Sequence, residues 1–454
     1  MRTRNVAVIG GGVAGLTAAY VLQKACDVTL YEADARLGGH AHTHELPAPD
    51  GGTMGVDSGF IVHNARTYPL LLRLFSELGV ATQDSEMSMS VRCDGCGLEY
   101  AGARGPLGLF TGRAALRVRY LRLLAEVPLF HRRARRMLDG DGPVGDSPGG
   151  GRSGKDGSGS DGSGGGRSGK EGSGGGSPER YTLRAFLADG GFSPYFVTHF
   201  ITPLVSAVWS CPAHTALEYP AAYLFRFLDH HGLLSVTGSP QWKTVTGGSA
   251  AYVDKVAKEI SNIRAATPVV RVDRIPSGVL VGSDDGITDA YDAVVIATHP
   301  DQALRLLADP TRDEQRVLGA FRYEANPTVL HTDTGLLPRS PRARASWNYH
   351  LTDCRPGAEG VRVSYDMTRL QRLPGDTGYV VTLNAGGRID PEHVLARMEY
   401  AHPVYTPESV AAQRALPRLN TSVTAFAGAY HGWGFHEDGC RSGVRAAAAL
   451  GVRW

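Results

Sequence analysis

The chain reads as an α/β protein in which a parallel sheet with crossover helices is interleaved with a second, mixed sheet-plus-helix domain. Three observations predict this. Val6-Ala7-Val8-Ile9, an apolar run with the composition of a buried parallel strand, is followed at once by Gly10-Gly11-Gly12-Val13-Ala14-Gly15, a G-x-G-x-x-G sequence. Leu16 to Lys24 then carries apolar residues at helical spacing, and Val28-Thr29-Leu30-Tyr31 is a second strand ending on Glu32. Finally, 454 residues at about 150 per domain suggest two or three domains.

Each piece of this opening has a job in a Rossmann-type dinucleotide site. Gly10 permits the tight turn, Gly12 lets a pyrophosphate approach the backbone, and Gly15 lets helix and strand pack closely. The helix start, around Val13 and Ala14, offers unpaired N–H groups and a partial positive charge to phosphate. Glu32 falls about 20 residues further on, where an acid accepts hydrogen bonds from ribose hydroxyls.

The next residues, Ala33-Asp34-Ala35-Arg36-Leu37-Gly38-Gly39-His40, make an E-x-x-x-R-x-G-G segment with Glu32. This resembles the FAD-binding amine oxidase, phytoene desaturase and protoporphyrinogen oxidase superfamily. The resemblance implies a glutathione-reductase-like Rossmann domain and FAD as cofactor. It also implies that Arg36, Gly38 and Gly39 wrap the pyrophosphate and ribityl chain, with Ala33 beside them and His40 nearest the flavin.

Composition fits this class. Hydrophobic content of 42% and 20% charged residues are those of an ordinary soluble globular protein, and a net charge of +2 implies no general attraction to nucleic acid or membrane. No uninterrupted apolar stretch reaches the roughly 18 residues of a spanning helix. Met1-Arg2-Thr3-Arg4 looks like a leader's charged start, but only four apolar residues precede the glycines, so a buried strand and a cytoplasmic location are expected. Of six cysteines, only Cys93 and Cys96 form a C-x-x-C pair; with no second pair, a turn holding reduced thiols is expected and no metal site.

Taken in order, residues 1–80, 240–300 and 420–454 are expected to build the FAD domain. Residues 81–138, 179–239 and 301–419 are assigned to the substrate domain, and 139–178 to a linker. His40, His42 and His44 alternate as if on one strand face, but no nearby carboxylate or cysteine completes a metal shell. Val56 to Val62 reads as a strand, Tyr68 to Leu78 as an amphipathic helix, and Met87 to Tyr100 as a hairpin. Residues 104–137 hold nine arginines among leucines and phenylalanines. Such a segment either covers the substrate cavity with a solvated basic face or lies on an anionic membrane. The linker twice nearly spells a phosphate-binding loop, at Gly149–Lys155 and Gly164–Lys170. Asp156 and Glu171 replace the metal-binding hydroxyl, no strand precedes either copy, and a coil spanning roughly 35 Å is expected instead.

Residues 193–234 are rich in aromatic and apolar groups and read as helices lining an apolar cavity, with Trp209 and Tyr223 as candidate walls; Trp347 and Tyr349 are candidates further on. Gly247-Gly248-Ser249 opens a helix over 250–260. Ala266–Val272 and Tyr291–Ala297 read as strands of the FAD domain, with further strands at 329–332, 345–350, 361–367 and 379–384. By the same resemblance, Val269 contacts the adenine side, and Ala297 and Thr298 form a turn beside the flavin. Ala427-Gly428, Glu437, Asp438 and Ser442 belong to the C-terminal flavin motif, although Ala429 stands where many relatives place an acid. The helix beginning there would stabilise negative charge on the reduced ring, by about 0.3–2 kcal/mol.

As a whole the chain resembles an uncharacterised bacterial branch of this superfamily, which implies a two-electron oxidation. Association of that branch with lipid methyltransferases suggests a fatty acyl substrate. A flavin-dependent isomerase, an amine oxidase and a non-catalytic carrier are the alternatives. His63, His299 and His436 are candidate proton acceptors, for each of which a purely structural role competes. The sequence leaves the oligomeric state open.

Overall fold

The computed structural model describes residues 3–140, 180–235, 238–355 and 362–454; the expected coil and its two near-phosphate-loops lie outside the described residues. Its first layer is a five-stranded parallel sheet in the order Asn262–Arg264, Cys26–Tyr31, Arg4–Ile9, Ala293–Ile296, Thr424–Phe426. The central strands are buried on both faces, which is why they are continuous runs of Val, Ile and Ala rather than alternating ones.

One face of the sheet packs against the helices Val13–Leu22, Pro69–Leu78 and Ala250–Glu259. The C-terminal helix His436–Ala449 crosses Val13–Leu22 so closely that a Cβ on Gly443 would overlap the Ala14 carbonyl, and one on Gly439 would lie 2.6 Å from Val13. The other face carries an antiparallel meander, Val269–Ile275, Gly278–Ser283 and Thr288–Tyr291, and the helices Pro300–Leu306 and Arg312–Leu318. The sequence reading made 266–272 one strand of the FAD domain; the edge strand of the parallel sheet is Asn262–Arg264. Ala266 turns the chain at a φ of 50°, and only from Val269 does a strand resume, in the meander.

The second layer is a seven-stranded sheet in the order Val394–Val404, Arg322–His331, Val380–Leu383, Val363–Asp366, Trp347–Leu351, Met89–Cys93, Leu98–Ala101. The eleven-residue strand Val394–Val404 was not foreseen, although Leu395, Arg397 and Glu399 alternate outward with Val394, Ala396 and Met398 inward.

Helices 118–138 and 183–230 pack on this sheet. Val118–Leu138 buries Tyr120, Leu123, Glu126, Phe130 and Ala134 along one stripe. Phe130 is the hub, with ring centroids of Phe186, Phe192, Phe196 and Phe225 at 5.9, 5.9, 5.8 and 5.5 Å. Truncating such a residue to alanine costs about 3–5 kcal/mol. The buried Glu126 is satisfied by the Ser193 N–H and hydroxyl at 3.0 and 2.6 Å, tying this helix to the next.

Candidate active site

The first strand delivers the chain into a turn that only glycine can make. Gly10 has φ at +103°, and a Cβ on Gly15 would overlap the Gly10 carbonyl oxygen. A Cβ on Gly12, by contrast, would meet no atom within 4 Å. Gly12 is therefore not required by the protein's own packing, and the space above it suits a ligand pressed against backbone. Glu32 closes this turn, with Oε2 accepting the Gly11 N–H at 2.6 Å and Oε1 the Asp34 N–H at 2.9 Å. A carboxylate so oriented at the end of the second strand retains further lone pairs for a vicinal diol.

The loop 33–41 returns over the glycines. Gly38 donates to the Gly11 carbonyl at 2.8 Å and pairs with Gly12 in an isolated parallel bridge. Arg36 braces the loop by donating to the Leu37, Gly39 and Ala41 carbonyls at 3.0, 2.9 and 3.1 Å, while Ala33 is exposed at its start. His40 stands apart from His42 and His44. Its ring lies 4.9 Å from Tyr400 and 5.2 Å from His402, and its buried Nε2 has no partner. Burial and the His402 ring hold its pKa well below the ordinary histidine range. His42 and His44 instead stack on each other at 4.2 Å and bond Tyr400 and Ser58 at 3.0 and 2.9 Å, a structural cluster.

On the far side, the Ala297 N–H donates to the Ile9 carbonyl at 2.8 Å, and its own carbonyl lies against Gly10. Thr298 and His299 follow half-buried, and the His299 ring stacks on Tyr323 at 4.0 Å. Val269 is half-buried two residues after Thr267, whose N–H donates to the Glu32 carbonyl at 2.9 Å.

The C-terminal motif closes the cradle. The Gly428 N–H donates to the Ser442 hydroxyl at 2.8 Å, and that hydroxyl donates to the Gly439 carbonyl at 2.7 Å. Glu437 turns inward and accepts the Leu70 and Leu71 N–H groups at 3.1 and 3.0 Å, capping the helix Pro69–Leu78. Asp438 Oδ2 accepts the Trp433 and Phe435 N–H groups at 3.0 and 3.1 Å, and burial pushes its pKa up to about 6. These two acids organise backbone. His436 stacks on Phe60 at 3.6 Å and bonds Tyr252 at 3.0 Å. His63 is fully buried among Phe60, Tyr68 and Phe75 rings, with neither ring nitrogen bonded.

Trp209 and Tyr223 bond the same turn from outside, donating to the Trp433 and Gly432 carbonyls at 3.0 and 2.9 Å. Trp209 is core, Tyr223 half-buried, Tyr349 core and Trp347 half-buried. Phe60, Tyr400, His402 and Tyr405 also belong to this site and were not anticipated. Tyr400 and His402 share the strand whose alternation was the available signal, and Tyr405 directly follows it. Elsewhere, Cys93 and Cys96 do not stand alone as the sequence suggested: Cys354 and His199 come within reach of both.

The glycine turn closed by Glu32 and the C-terminal motif beside one parallel sheet belong to an FAD-dependent oxidoreductase. More specifically, the chain belongs to the flavin containing amine oxidoreductase family, whose sequence model matches residues 13–331. No curated protein matches the chain in a sequence search. Among solved structures, putrescine oxidase bound to putrescine is 15% identical, covers 99% of both chains and has a TM-score of 0.64. Cyclohexylamine oxidase from Brevibacterium oxydans IH-35A is 17% identical over 99% of both, with a TM-score of 0.64. A fatty acid isomerase from P. acnes that produces CLA is 16% identical over 97% of both, with a TM-score of 0.63. At these identities the likeness is one of fold. The cofactor is FAD, and the residues fit that group: a Cβ on Gly12 would meet nothing, and the buried Nε2 of His40 has no partner.

Proposed function

We propose that the protein dehydrogenates an apolar, fatty-acyl substrate taken up from an anionic lipid surface. The observation that carries this reading is the uncharged wall beside the C-terminal motif. Tyr223, Phe227, Tyr405, Trp433 and Phe435 pack ring against ring, with centroids 4.9 Å apart for Phe227–Phe435 and 5.3 Å for Tyr223–Tyr405. The acids nearest in sequence, Glu437 and Asp438, are turned to backbone N–H groups and to the Arg441 guanidinium, which leaves neither as a free counter-charge. An alkyl chain gains about 0.8 kcal/mol per buried CH₂ against such a surface, whereas an ammonium group entering it would lose hydration without meeting a carboxylate.

When bound, FAD supplies the two-electron acceptor for the hydride leaving a substrate carbon, and dioxygen or another oxidant restores it. In this reading Gly10, Gly12, Gly15, Val13 and Ala14 receive the pyrophosphate, and Glu32 the ribose. Arg36 keeps the Gly38-Gly39 loop in place over it. The second hydrogen leaves as a proton to water, because burial holds His40 well below the ordinary histidine range and disfavours its protonated form. The wall's work is orientation and exclusion of water.

Support for a lipid surface comes from residues 104–122. Among the described residues, five of the eight large hydrophobic side chains left exposed are Leu107, Phe110, Leu116, Val118 and Leu121, and Arg104, Arg113, Arg117, Arg119 and Arg122 intersperse them.

The test is anaerobic absorbance of the purified flavoprotein titrated with unsaturated fatty acyl lipids and, separately, primary amines. Bleaching by a lipid with formation of a new double bond supports the reading. Bleaching by amines alone overturns the substrate class. Double-bond migration without net bleaching replaces dehydrogenation by isomerisation.

A further inference from the structure

The fold brings four side chains of metal-binding type together, none of them among the residues of the flavin cradle. Cys93 ends the strand Met89–Cys93, Cys96 sits in the turn that follows, Cys354 lies just after the strand Trp347–Leu351, and His199 is at the centre of a π-helical turn, Val197–Ile201. Their ligand atoms all lie within 4.8 Å of one another. Cys93 Sγ is 3.8 Å from Cys354 Sγ, and Cys96 Sγ is 3.6 Å from His199 Nε2. A tetrahedral zinc ion with Zn–S of about 2.3 Å and Zn–N of about 2.05 Å sets its ligand atoms about 3.8 Å (S to S) and about 3.6 Å (S to N) apart. A disulfide would need about 2.05 Å.

We propose that Cys93, Cys96, Cys354 and His199 form a structural Zn²⁺ site. The surroundings carry the features such a site requires. His199 Nδ1 faces the Tyr195 carbonyl at 3.1 Å, so that nitrogen donates and Nε2 is left as the ligand. Three thiolates and a neutral imidazole around Zn²⁺ carry one net negative charge. Arg117 donates to the Cys96 carbonyl at 3.0 Å, and the Arg119 guanidinium lies 4.8 Å from the Tyr195 ring, whose hydroxyl is 3.4 Å from Cys96 Sγ. The turn itself is built for close approach: a Cβ on Gly95 would sit 2.8 Å from the Asp353 backbone. A π-turn in place of regular helix is a common sign of a functional side chain, and here it presents His199. Cys93, Cys96 and His199 are buried and only Cys354 is half-exposed, so all four positions are protein ligands and the site is closed. Its effect is to staple the helices to the edge of the seven-stranded sheet, independently of the reaction proposed above.

The full-length flavoprotein, purified under reducing conditions with zinc in the growth medium and desalted, is assayed by metal analysis and X-ray absorption. The expected result is one zinc per chain with sulfur-dominated coordination. Cys354→Ser and His199→Ala should each lower zinc about tenfold, while His199→Cys keeps it, and flavin per chain stays unchanged in all three. Any of the following overturns the site: a chain that neither holds zinc nor competes with a chromophoric chelator for added Zn²⁺, iron in place of zinc, a Cys93–Cys354 disulfide in non-reduced peptides, or variants that retain zinc equally.

Discussion

The carboxylate of Glu32 reaches back across the first turn and accepts the Gly11 N–H at 2.6 Å. One side chain thus fixes the glycine loop and, in the function proposed above, meets the ribose of FAD. Glu32→Arg reverses that charge and removes the acceptor. A hydrogen bond to a charged group is worth about 1.5–3 kcal/mol, so FAD affinity should fall roughly 10- to 100-fold, read as flavin absorbance per chain after dialysis. Retention at the parent level would remove Glu32 from the cofactor site.

Two glycines three residues apart should fail for different reasons. Gly12→Ala places a methyl in open space at an ordinary φ of −73°. The apoprotein should melt within about 1 °C of the parent, yet bind FAD at least about tenfold more weakly because the methyl occupies the pyrophosphate's approach. Gly15→Ala drives a methyl into the Gly10 carbonyl. Overpacking of that kind costs about 1–3 kcal/mol, and the apoprotein itself should melt lower. Thermal melts of both apoproteins alongside FAD titrations separate the cases; equal behaviour of the two variants would mean that Gly12 serves packing alone.

The first strand, turn, helix and second strand were legible because everything that makes them lies within some thirty consecutive residues. What sequence could not supply was direction. Glu437 and Asp438 stand beside the flavin motif, but only the fold turns their oxygens toward Leu70, Leu71, Trp433 and Phe435. Trp209 and Tyr223 read alike, yet one is core and the other half-buried. The four metal-binding side chains escaped for a related reason. Cys93 and Cys96 are neighbours in sequence, but His199 and Cys354 reach them only through a helical insertion and a sheet crossover. The strand Val394–Val404 was missed despite its alternation, which pairs exposed positions with only half-buried ones over most of its length.

Stability should fall steeply with acid. His63, His231, His331 and His436 are 0%, 5%, 0% and 8% exposed, and burial lowers their pKa to about 4, 4, 4 and 3. Below pH 6.5 the unfolded chain takes up protons that the folded chain refuses, so the stabilisation is complete above that pH and is lost as pH falls toward 4. At pH 5.5 each buried histidine costs on the order of 1 kcal/mol. Asp57 and Asp438, both pushed up to about 6 by burial, act in the opposite sense and offset part of this. The melting temperature should therefore drop from pH 7.5 to 5.5, and His331→Gln should lessen the drop. A melting temperature that rises on acidification would contradict these environments.

The exposed apolar cluster at 107–121 gives the last expectation. Val118 is 81% exposed, Leu116 69% and Leu107 66%, at the entrance to a helix whose opposite stripe is core. Burying such side chains in a bilayer interface gains about 25 cal/mol per Å², and neighbouring arginines add about 1 kcal/mol each on an anionic surface. The protein should therefore co-sediment with vesicles containing phosphatidylserine, less so with neutral ones, and less as salt rises. Leu116→Glu with Val118→Glu should weaken this binding at least about tenfold, since each change removes apolar contact and adds a repelled charge. Neither side chain contributes to the core, so flavin content and melting temperature should stay at the parent values. Unchanged sedimentation of the double variant would leave these residues as a solvated face and sever the lipid surface from the reaction.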